Sequence, residues 1–170
     1  FVTTRHEQGA AFIADVLGRL TGRAGVCLST LGPGATNLMT GVADANMDHA
    51  PLIAIAGQGS TDRMHKESHQ ILDLVNLFGP ISKYATQLIV PEIIPEVVRK
   101  AFKIAEAEKP GVSFIDFPEN IAAAYLPQSA VPLKKQSASP PAAPQHKCEQ
   151  AAQLIADAKT PIIMAQHDGI

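Results

Sequence analysis

The segment Leu52-Ile53-Ala54-Ile55-Ala56-Gly57 is apolar throughout. A short apolar run without alternation is typical of a strand whose two faces are both buried. Residues 26–30 and 112–117 have a similar composition, and residues 84–89 show a weaker strand pattern. Several buried strands of this kind in one chain indicate a sheet that is covered on both sides.

Helical patterns separate these strands. Apolar residues recur at three- and four-residue spacings in residues 7–20, 35–47 and 91–109, and a shorter helix-like segment covers residues 71–78. Strands and helices alternate, and the helices are long enough to serve as crossovers. The sequence therefore predicts an α/β domain with a doubly wound, mostly parallel sheet flanked by helices.

The composition changes after residue 125. Residues 126–144 are rich in Pro, Ser, Ala and Gln and lack an apolar period, which is typical of an extended linker. We therefore predict a first domain over 1–125, a linker over 126–147 and the start of a second α/β domain over 148–170. In that second domain, a helix is expected near 149–158 and a strand near 162–165. Since the chain begins without Met and stops just after this strand, we expect a fragment of a longer chain with a truncated N-terminus.

Charge and hydropathy exclude several classes of partner. The formal net charge of the 170 residues is -2, and the basic residues form no stripe that could follow a phosphate backbone, so nucleic acid is not an expected partner. No apolar run approaches the ~20 residues that a membrane-spanning helix needs. Cys27 lies in an apolar run, where a buried, unreactive thiol is expected. A reducing, cytoplasmic location fits this pattern.

Glu7 has two interpretations. The segment Thr4-Arg5-His6-Glu7 matches a capping box, in which Thr4 caps the first helix and Glu7 bonds back to its amide. Alternatively, Glu7 meets a ligand that partly desolvates its carboxylate, and its pKa then rises. Residue spacing alone leaves both open.

The glycine-rich segment Leu31-Gly32-Pro33-Gly34-Ala35-Thr36-Asn37 follows a predicted strand and opens a helix. Backbone amides face outward at such a turn, which suggests an anion or nucleotide site, although Gly-Pro-Gly is also a common tight turn. The scattered histidines show no spacing typical of a zinc site, so no metal site is predicted in this chain. Asp44 and Asp48 are one helical turn apart and are expected to form a solvated face.

A series of short motifs occurs in one order along the chain. They are Arg5-His6-Glu7-Gln8-Gly9-Ala10-Ala11-Phe12, Gly25-Val26-Cys27, the segment 32–37, Gly41-Val42-Ala43-Asp44-Ala45, the segment 51–58, His69-Gln70, Ile81-Ser82-Lys83-Tyr84, Lys109-Pro110-Gly111-Val112 and Asp116-Phe117-Pro118. Over residues 4–124 this series resembles the pyrimidine-binding domain of acetolactate synthases, which depend on thiamine diphosphate. Order and spacing both agree, which makes the resemblance specific.

The resemblance implies an enzyme that condenses two pyruvates to 2-acetolactate with release of CO2. It implies that Glu7 is catalytic and binds the cofactor, since the family's glutamate hydrogen-bonds the aminopyrimidine nitrogen and promotes the imino tautomer that deprotonates the thiazolium carbon. Pro33, Gly34 and Asn37 would also bind the cofactor. The loop at 32–34 would then pack against the pyrimidine ring and would not hold phosphate.

The resemblance also implies that Gly32, His69 and Gln70 lie near the substrate, pyruvate or a related 2-keto acid, and that Gln70 contacts the cofactor. Family members bind thiamine diphosphate between two subunits, so a homodimer or homotetramer is expected. The Gly-Asp-Gly motif that binds Mg2+ and diphosphate in the family is absent from these residues. Those groups would be held by a domain that this chain lacks, and the fragment alone is expected to be inactive.

Two features suggest the catabolic branch of the family. His69 stands where the biosynthetic branch usually has phenylalanine, and Glu119-Asn120 occupies a short segment where biosynthetic members commonly carry a lysine. Whether FAD binds stays open. The alternatives are another thiamine-dependent 2-keto acid carboligase or decarboxylase, such as a glyoxylate carboligase or a sulfoacetaldehyde acetyltransferase, a Rossmann-type nucleotide-binding module, and a non-catalytic interaction domain in which Glu7 only caps its helix.

Overall fold

The computed structural model describes residues 1–126, 130–134 and 142–164. The chain divides into two compact units, Phe1–Ala138 and Ser139–Ile170. The strands of the first unit are β1 (Gly25–Ser29), β2 (Leu52–Gln58), β3 (Tyr84–Gln87) and β4 (Val112–Pro118). Its helices are α1 (Glu7–Thr21), α2 (Pro33–Met47), α3 (Leu74–Phe78), α4 (Ile94–Glu106) and α5 (Glu119–Ala122).

The four strands form one parallel sheet in the order β1-β2-β4-β3. Alternate residues of the strands point to opposite faces and enter two separate cores. One core joins α1, α2 and α3 to the sheet through side chains such as Leu38, Phe78 and Phe114. The other joins α4 to the sheet through side chains such as Val97 and Ile115. The predicted α/β fold with a parallel sheet flanked by helices is confirmed.

The helix ends explain where the chain turns back. Gly22 follows α1 with a left-handed φ of 64°, a conformation that glycine adopts without steric cost. Pro33 is the first residue of α2, where its missing N–H costs no hydrogen bond. The predicted helix over 91–109 is shorter than expected, because Pro91–Ile93 forms a 3-10 turn before α4 begins at Ile94.

The predicted capping box is wrong. His6 is the N-cap of α1, and its Nδ1 accepts a hydrogen bond from the Gln8 amide at 3.1 Å. The Thr4 hydroxyl instead donates to the His6 carbonyl at 3.0 Å. Because His6 takes the capping position, the Glu7 side chain is not needed for a reciprocal bond to a threonine cap.

Asp44 and Asp48 do more than form a solvated face. Arg19 of α1 donates to Asp44 at 3.0 Å and also pairs with Asp48, so it ties α1 to α2. The same guanidinium donates to Asp15, whose side chain is only 2% exposed, at 2.8 Å. A buried carboxylate needs such a partner. This cluster fixes how the first two helices cross.

The second unit contains α6 (Gln145–Asp157), which begins four residues before its predicted start at 149. The strand predicted at 162–165 is absent from the described residues 162–164, because no neighbouring strand pairs with them there, and residue 165 lies outside the described residues. The predicted domain limits of 1–125, 126–147 and 148–170 stay predictions.

Candidate functional site

Small residues bring α1 and α2 together at the carboxyl end of the sheet. A Cβ placed on Gly41 would lie 2.7 Å from the Ala11 Cβ, so the two helices approach more closely there than larger side chains would allow. The close crossing sets the first turn of α1 beside the first turns of α2. Glu7, the first residue of α1, is thereby directed toward the segment 32–37.

Asn37 and Glu7 form the centre of the candidate site. The Asn37 Nδ2 donates to the Glu7 Oε2 at 3.1 Å, across 30 residues of chain. Gly34 lies on the other side of the same carboxylate, since a Cβ placed on Gly34 would lie 3.5 Å from the Glu7 Oε1 and only 2.6 Å from the Thr30 Cγ2. Only a glycine fits at position 34, because a Cβ there would clash with the Thr30 methyl group.

The environment of Glu7 lowers its pKa. The main cause is a hydrogen bond from the Glu7 backbone amide, followed by the bond from Asn37, and both favour the ionised form. Desolvation acts in the opposite direction but is weaker, because the side chain is only partly covered. The predicted rise of the pKa is therefore not seen for the carboxylate among these residues alone.

A cavity of about 580 Å³ opens beside Glu7. It lies above the carboxyl ends of β1, β2 and β4, the position at which doubly wound sheets bind ligands. Its lining combines the Glu7 carboxylate with mostly apolar groups, among them Leu28, Leu31, Gly57, Phe117 and Ala122. A flat, largely apolar ring with one polar edge would match such a lining.

Gly32 and Gln70 form a second contact at the same edge of the sheet. Gly32 has a φ of 55°, and a Cβ on it would lie 2.7 Å from the Gln70 Cβ and 2.8 Å from the Gln70 carbonyl oxygen. Gln70 itself has a φ of 59°, which is uncommon for a residue with a side chain. Only a glycine at position 32 allows the loop that carries Gln70 to pass this close.

The structure thus groups the predicted residues in two sets. Glu7 lies against both Asn37 and Gly34, and Gly32 lies against Gln70. The side chains of His69 and Gln70 are exposed, and so is Pro33 at the start of α2. No described contact joins Pro33 or His69 to Glu7.

The segment Glu119-Asn120 lies closer to the site than the sequence suggested. Glu119 lines the cavity beside Glu7 and forms an ion pair with Arg63. Asn120 donates to the Thr61 hydroxyl at 2.8 Å and accepts from the Thr61 amide at 3.0 Å. These residues therefore hold the 3-10 turn Thr61–Arg63 against the end of β4.

Two buried polar residues were missed by the sequence analysis. Gln58 and Asp116 are each 1% exposed, and their side chains lie 3.5 Å apart at the carboxyl ends of β2 and β4. The available signal was Asp116 itself, because a carboxylate inside an otherwise apolar strand needs a compensating environment. Among the described residues there is no group of three metal-ligating side chains and no helix long and apolar enough to span a membrane.

Residues 1–77 match the family described as thiamine pyrophosphate enzyme, N-terminal TPP binding domain. A probable acetolactate synthase large subunit of Methanocaldococcus jannaschii is 41% identical over 169 residues, which cover 96% of this chain and 29% of that protein. The catabolic acetolactate synthase of Raoultella terrigena is 39% identical over 96% of this chain and 29% of its own length. The acetolactate synthase of Bacillus subtilis is 46% identical over 120 residues, 71% of this chain and 21% of that protein. The chain spans less than a third of the length of these relatives.

Proposed function

We propose, from the match of residues 1–77 to the N-terminal TPP binding domain of thiamine pyrophosphate enzymes, that this chain is the cofactor-activating part of an acetolactate synthase. The proposed reaction joins two pyruvates to 2-acetolactate and releases CO2. The observation that carries the proposal is the Glu7–Asn37 bond of 3.1 Å beside a mostly apolar cavity that Glu7 lines. The similarity to proteins described as acetolactate synthases supports the same activity.

The residues present fit the pyrimidine end of thiamine diphosphate. Gly34 lets the start of α2 approach the Glu7 carboxylate closely, since a Cβ there would lie 3.5 Å from the Glu7 Oε1 and 2.6 Å from the Thr30 Cγ2. Glu7 would hydrogen-bond a ring nitrogen, donating when its carboxyl is protonated and accepting when the nitrogen carries the proton. Leu28, Leu31 and Phe117 offer apolar surface for the ring. Bound thiamine diphosphate supplies the electron sink that decarboxylation and carbon–carbon bond formation need.

Glu7 would act as the group that holds and moves a proton at the ring. Asn37 keeps its carboxylate oriented and ionised, since an amide donor favours the charged form. A ring that fills the cavity would displace water from the carboxylate and raise its pKa toward a value useful for proton transfer. The lowered pKa that the surrounding residues give Glu7 and this role are therefore compatible.

Other parts of the proposal lie beyond these residues. Mg2+ and the diphosphate would be bound by a further domain of a longer chain, and a second subunit of a homodimer or homotetramer would close the cavity. His69 and the segment Glu119-Asn120 favour the catabolic branch over the biosynthetic one. The free, buried Cys27 thiol fits a reducing cytoplasm.

The test is acetolactate formation by the complete protein that contains this chain. The protein is assayed with pyruvate, thiamine diphosphate and Mg2+ beside Glu7→Gln, which keeps the shape of the side chain but cannot take a proton. Loss of a positioned acid–base group predicts a fall in kcat of about 100-fold or more. Glu92→Gln, the same change at an exposed position, serves as the matched control and should retain activity.

The outcomes separate the parts of the proposal. If the protein binds thiamine diphosphate but does not consume pyruvate, the proposed cofactor site stands and the proposed substrate is wrong. Products from glyoxylate or sulfoacetaldehyde would assign another carboligase of the same cofactor class. Full activity of Glu7→Gln would show that Glu7 is not the acid–base group.

A further inference from the structure

The Asp116 carboxylate is buried at the carboxyl end of β4. Its Oδ2 accepts hydrogen bonds from the Gln87 Nε2 at 2.7 Å and, more weakly, from the Gln58 Nε2 at 3.5 Å. Its Oδ1 has no partner among the described residues and is shielded from solvent. A buried, half-satisfied carboxylate costs stability, so its presence calls for an explanation beyond packing.

Gln58 connects Asp116 to the loop that follows β2. Its Oε1 accepts from the Gly59 amide at 3.0 Å, which fixes the orientation of the side-chain amide. Its Nε2 therefore points away from Gly59 and donates to the Leu72 carbonyl at 2.8 Å as well as toward Asp116. A single buried amide thus joins the strand ends to a carbonyl near the far end of the loop.

Leu72 lies two residues after Gln70 in the chain. Gln70 is confined on its other side by Gly32, with which it is in van der Waals contact. The loop bearing His69 and Gln70 is thus held from two directions, by Gly32 and by the bond from Gln58 to Leu72. The left-handed φ of Gln70 shows that this placement works against its own backbone preference.

We propose that Asp116 is a positioning residue which, through Gln58, holds the segment 59–73 and with it His69 and Gln70 in place at the site. The link to catalysis rests on the proposed function, but the link to the segment does not. The ionised Asp116 carboxylate binds the Gln58 amide more strongly than the protonated form does, because hydrogen bonds to a charged acceptor are stronger. The positioning therefore strengthens as Asp116 loses its proton.

The charges around Asp116 come from one side. Asp116 lines a cavity of about 580 Å³ whose other lining residues include the charged or titratable side chains of Asp73, His65, Lys66 and Glu67. The neighbouring strands contribute only the neutral amides of Gln58 and Gln87. Burial raises the pKa of Asp116 to about 6, and the charge of Asp73 adds to this rise. The change of charge thus falls within a range that is accessible to experiment.

Hydrogen exchange of the complete, substrate-free protein tests the link to the segment. Exchange of peptides covering 59–73 is compared between the wild type and Asp116→Asn at pH 5 and pH 8. Comparing variants at one pH cancels the intrinsic pH dependence of exchange. We expect about fivefold faster exchange in the variant at pH 8, from the loss of a charge-assisted bond, and a much smaller difference at pH 5. Glu92→Gln should match the wild type at both pH values.

Gln58→Met provides an independent variant if Asp116→Asn does not fold. It keeps the length of the side chain but removes both bonds of the amide, so exchange of 59–73 should be faster at both pH values. Unchanged exchange of this segment at pH 8 in either variant overturns the proposal. This readout needs no turnover, so it decides the role of Asp116 even if the protein forms no acetolactate.

The pH profile of kcat tests the link to the reaction. If acetolactate forms, the wild type should lose kcat as the pH falls through about 6, and Asp116→Asn should lack this limb while KM for pyruvate changes less than kcat. A residue that only stabilised the fold would leave the shape of the profile unchanged. If Asp116→Asn speeds exchange of the segment 59–73 but leaves the shape of the kcat profile unchanged, the proposed link between Asp116 and the reaction is wrong.

Discussion

Asn37 donates a hydrogen bond to Glu7 across the crossing of α1 and α2, with 3.1 Å between Nδ2 and Oε2. The bond joins the first residue of α1 to the fifth residue of α2, two helices that different segments of the sequence form. It therefore depends on the close approach of Ala11 to Gly41 as much as on the two polar residues. A change in either helix that alters their crossing is expected to disturb the carboxylate.

Replacement of Asn37 by Asp should raise the pKa of Glu7. The donor that favours the ionised carboxylate is lost, and a like charge takes its place, which commonly shifts a pKa by about one unit or more. The acid limb of the kcat/KM profile should therefore move to higher pH. Asn37→Ser, which retains a donor without a charge, is the control and should shift the limb less. An unmoved limb in Asn37→Asp would mean that Glu7 does not produce it.

Replacement of Gly34 by Ala should weaken both folding and cofactor binding. The new methyl group would lie 2.6 Å from the Thr30 Cγ2, a clash that overpacking data place at about 1–3 kcal/mol of unfolding free energy. Thr30→Ser removes that methyl group, so the double variant should recover most of the stability measured by thermal unfolding. Thiamine diphosphate affinity should stay reduced in the double variant, since the alanine still occupies the space beside Glu7.

The strands and most helices could be predicted from the sequence because each depends on a local period. The apolar run at 52–57 and the helical spacing in 94–106 carry that information themselves. The contact of Gly32 with Gln70 could not be predicted, because it depends on the path of a loop. The pairing of Gln58 with Asp116 depends on the register that sets Ala56 beside Asp116, which follows only from the assembled sheet.

The candidate site divides in the same way. Glu7, Gly34 and Asn37 follow from motifs, and the structure brings them into contact. The cap of α1 could not be assigned correctly, because threonine is a common N-cap and histidine is a rare one. His6 takes the position through a ring nitrogen, which a residue-type preference does not reveal.

The two cysteines should differ strongly in reactivity. Burial raises the pKa of the Cys27 thiol to about 12, whereas Cys148 lies exposed on α6. The thiolate is the reacting form, so a thiol reagent at pH 8 should modify Cys148 quickly and Cys27 at least about 100-fold more slowly. In Cys148→Ser the fast reaction of this pair should vanish. A rapid reaction of Cys27 would show that its core opens readily or is less buried than the structure indicates.

The buried charge of Asp116 should also appear in the pH dependence of stability. Its pKa in the folded protein, about 6, lies above the value of 3.8 for an unperturbed aspartate, so the folded state binds the proton more tightly than the unfolded state. The sign follows: this group lowers the free energy of unfolding as the pH rises from about 3.8 to about 6, with little change beyond.

Asp116→Asn removes that dependence, because its amide does not titrate. The NH2 group that this substitution introduces has no partner, and its cost in unfolding free energy is the same at each pH. The cost therefore cancels when the difference between variant and wild type at one pH is compared with the difference at the other. Relative to the wild type, the variant should therefore gain about 2 kcal/mol between pH 4.5 and pH 8 in urea unfolding. Equal differences at both pH values would show that the pKa of Asp116 is not raised. A gain in global stability together with a looser segment 59–73 would mean that the wild type gives up stability for the placement of His69 and Gln70, a trade-off that strained or charged groups at functional sites commonly show.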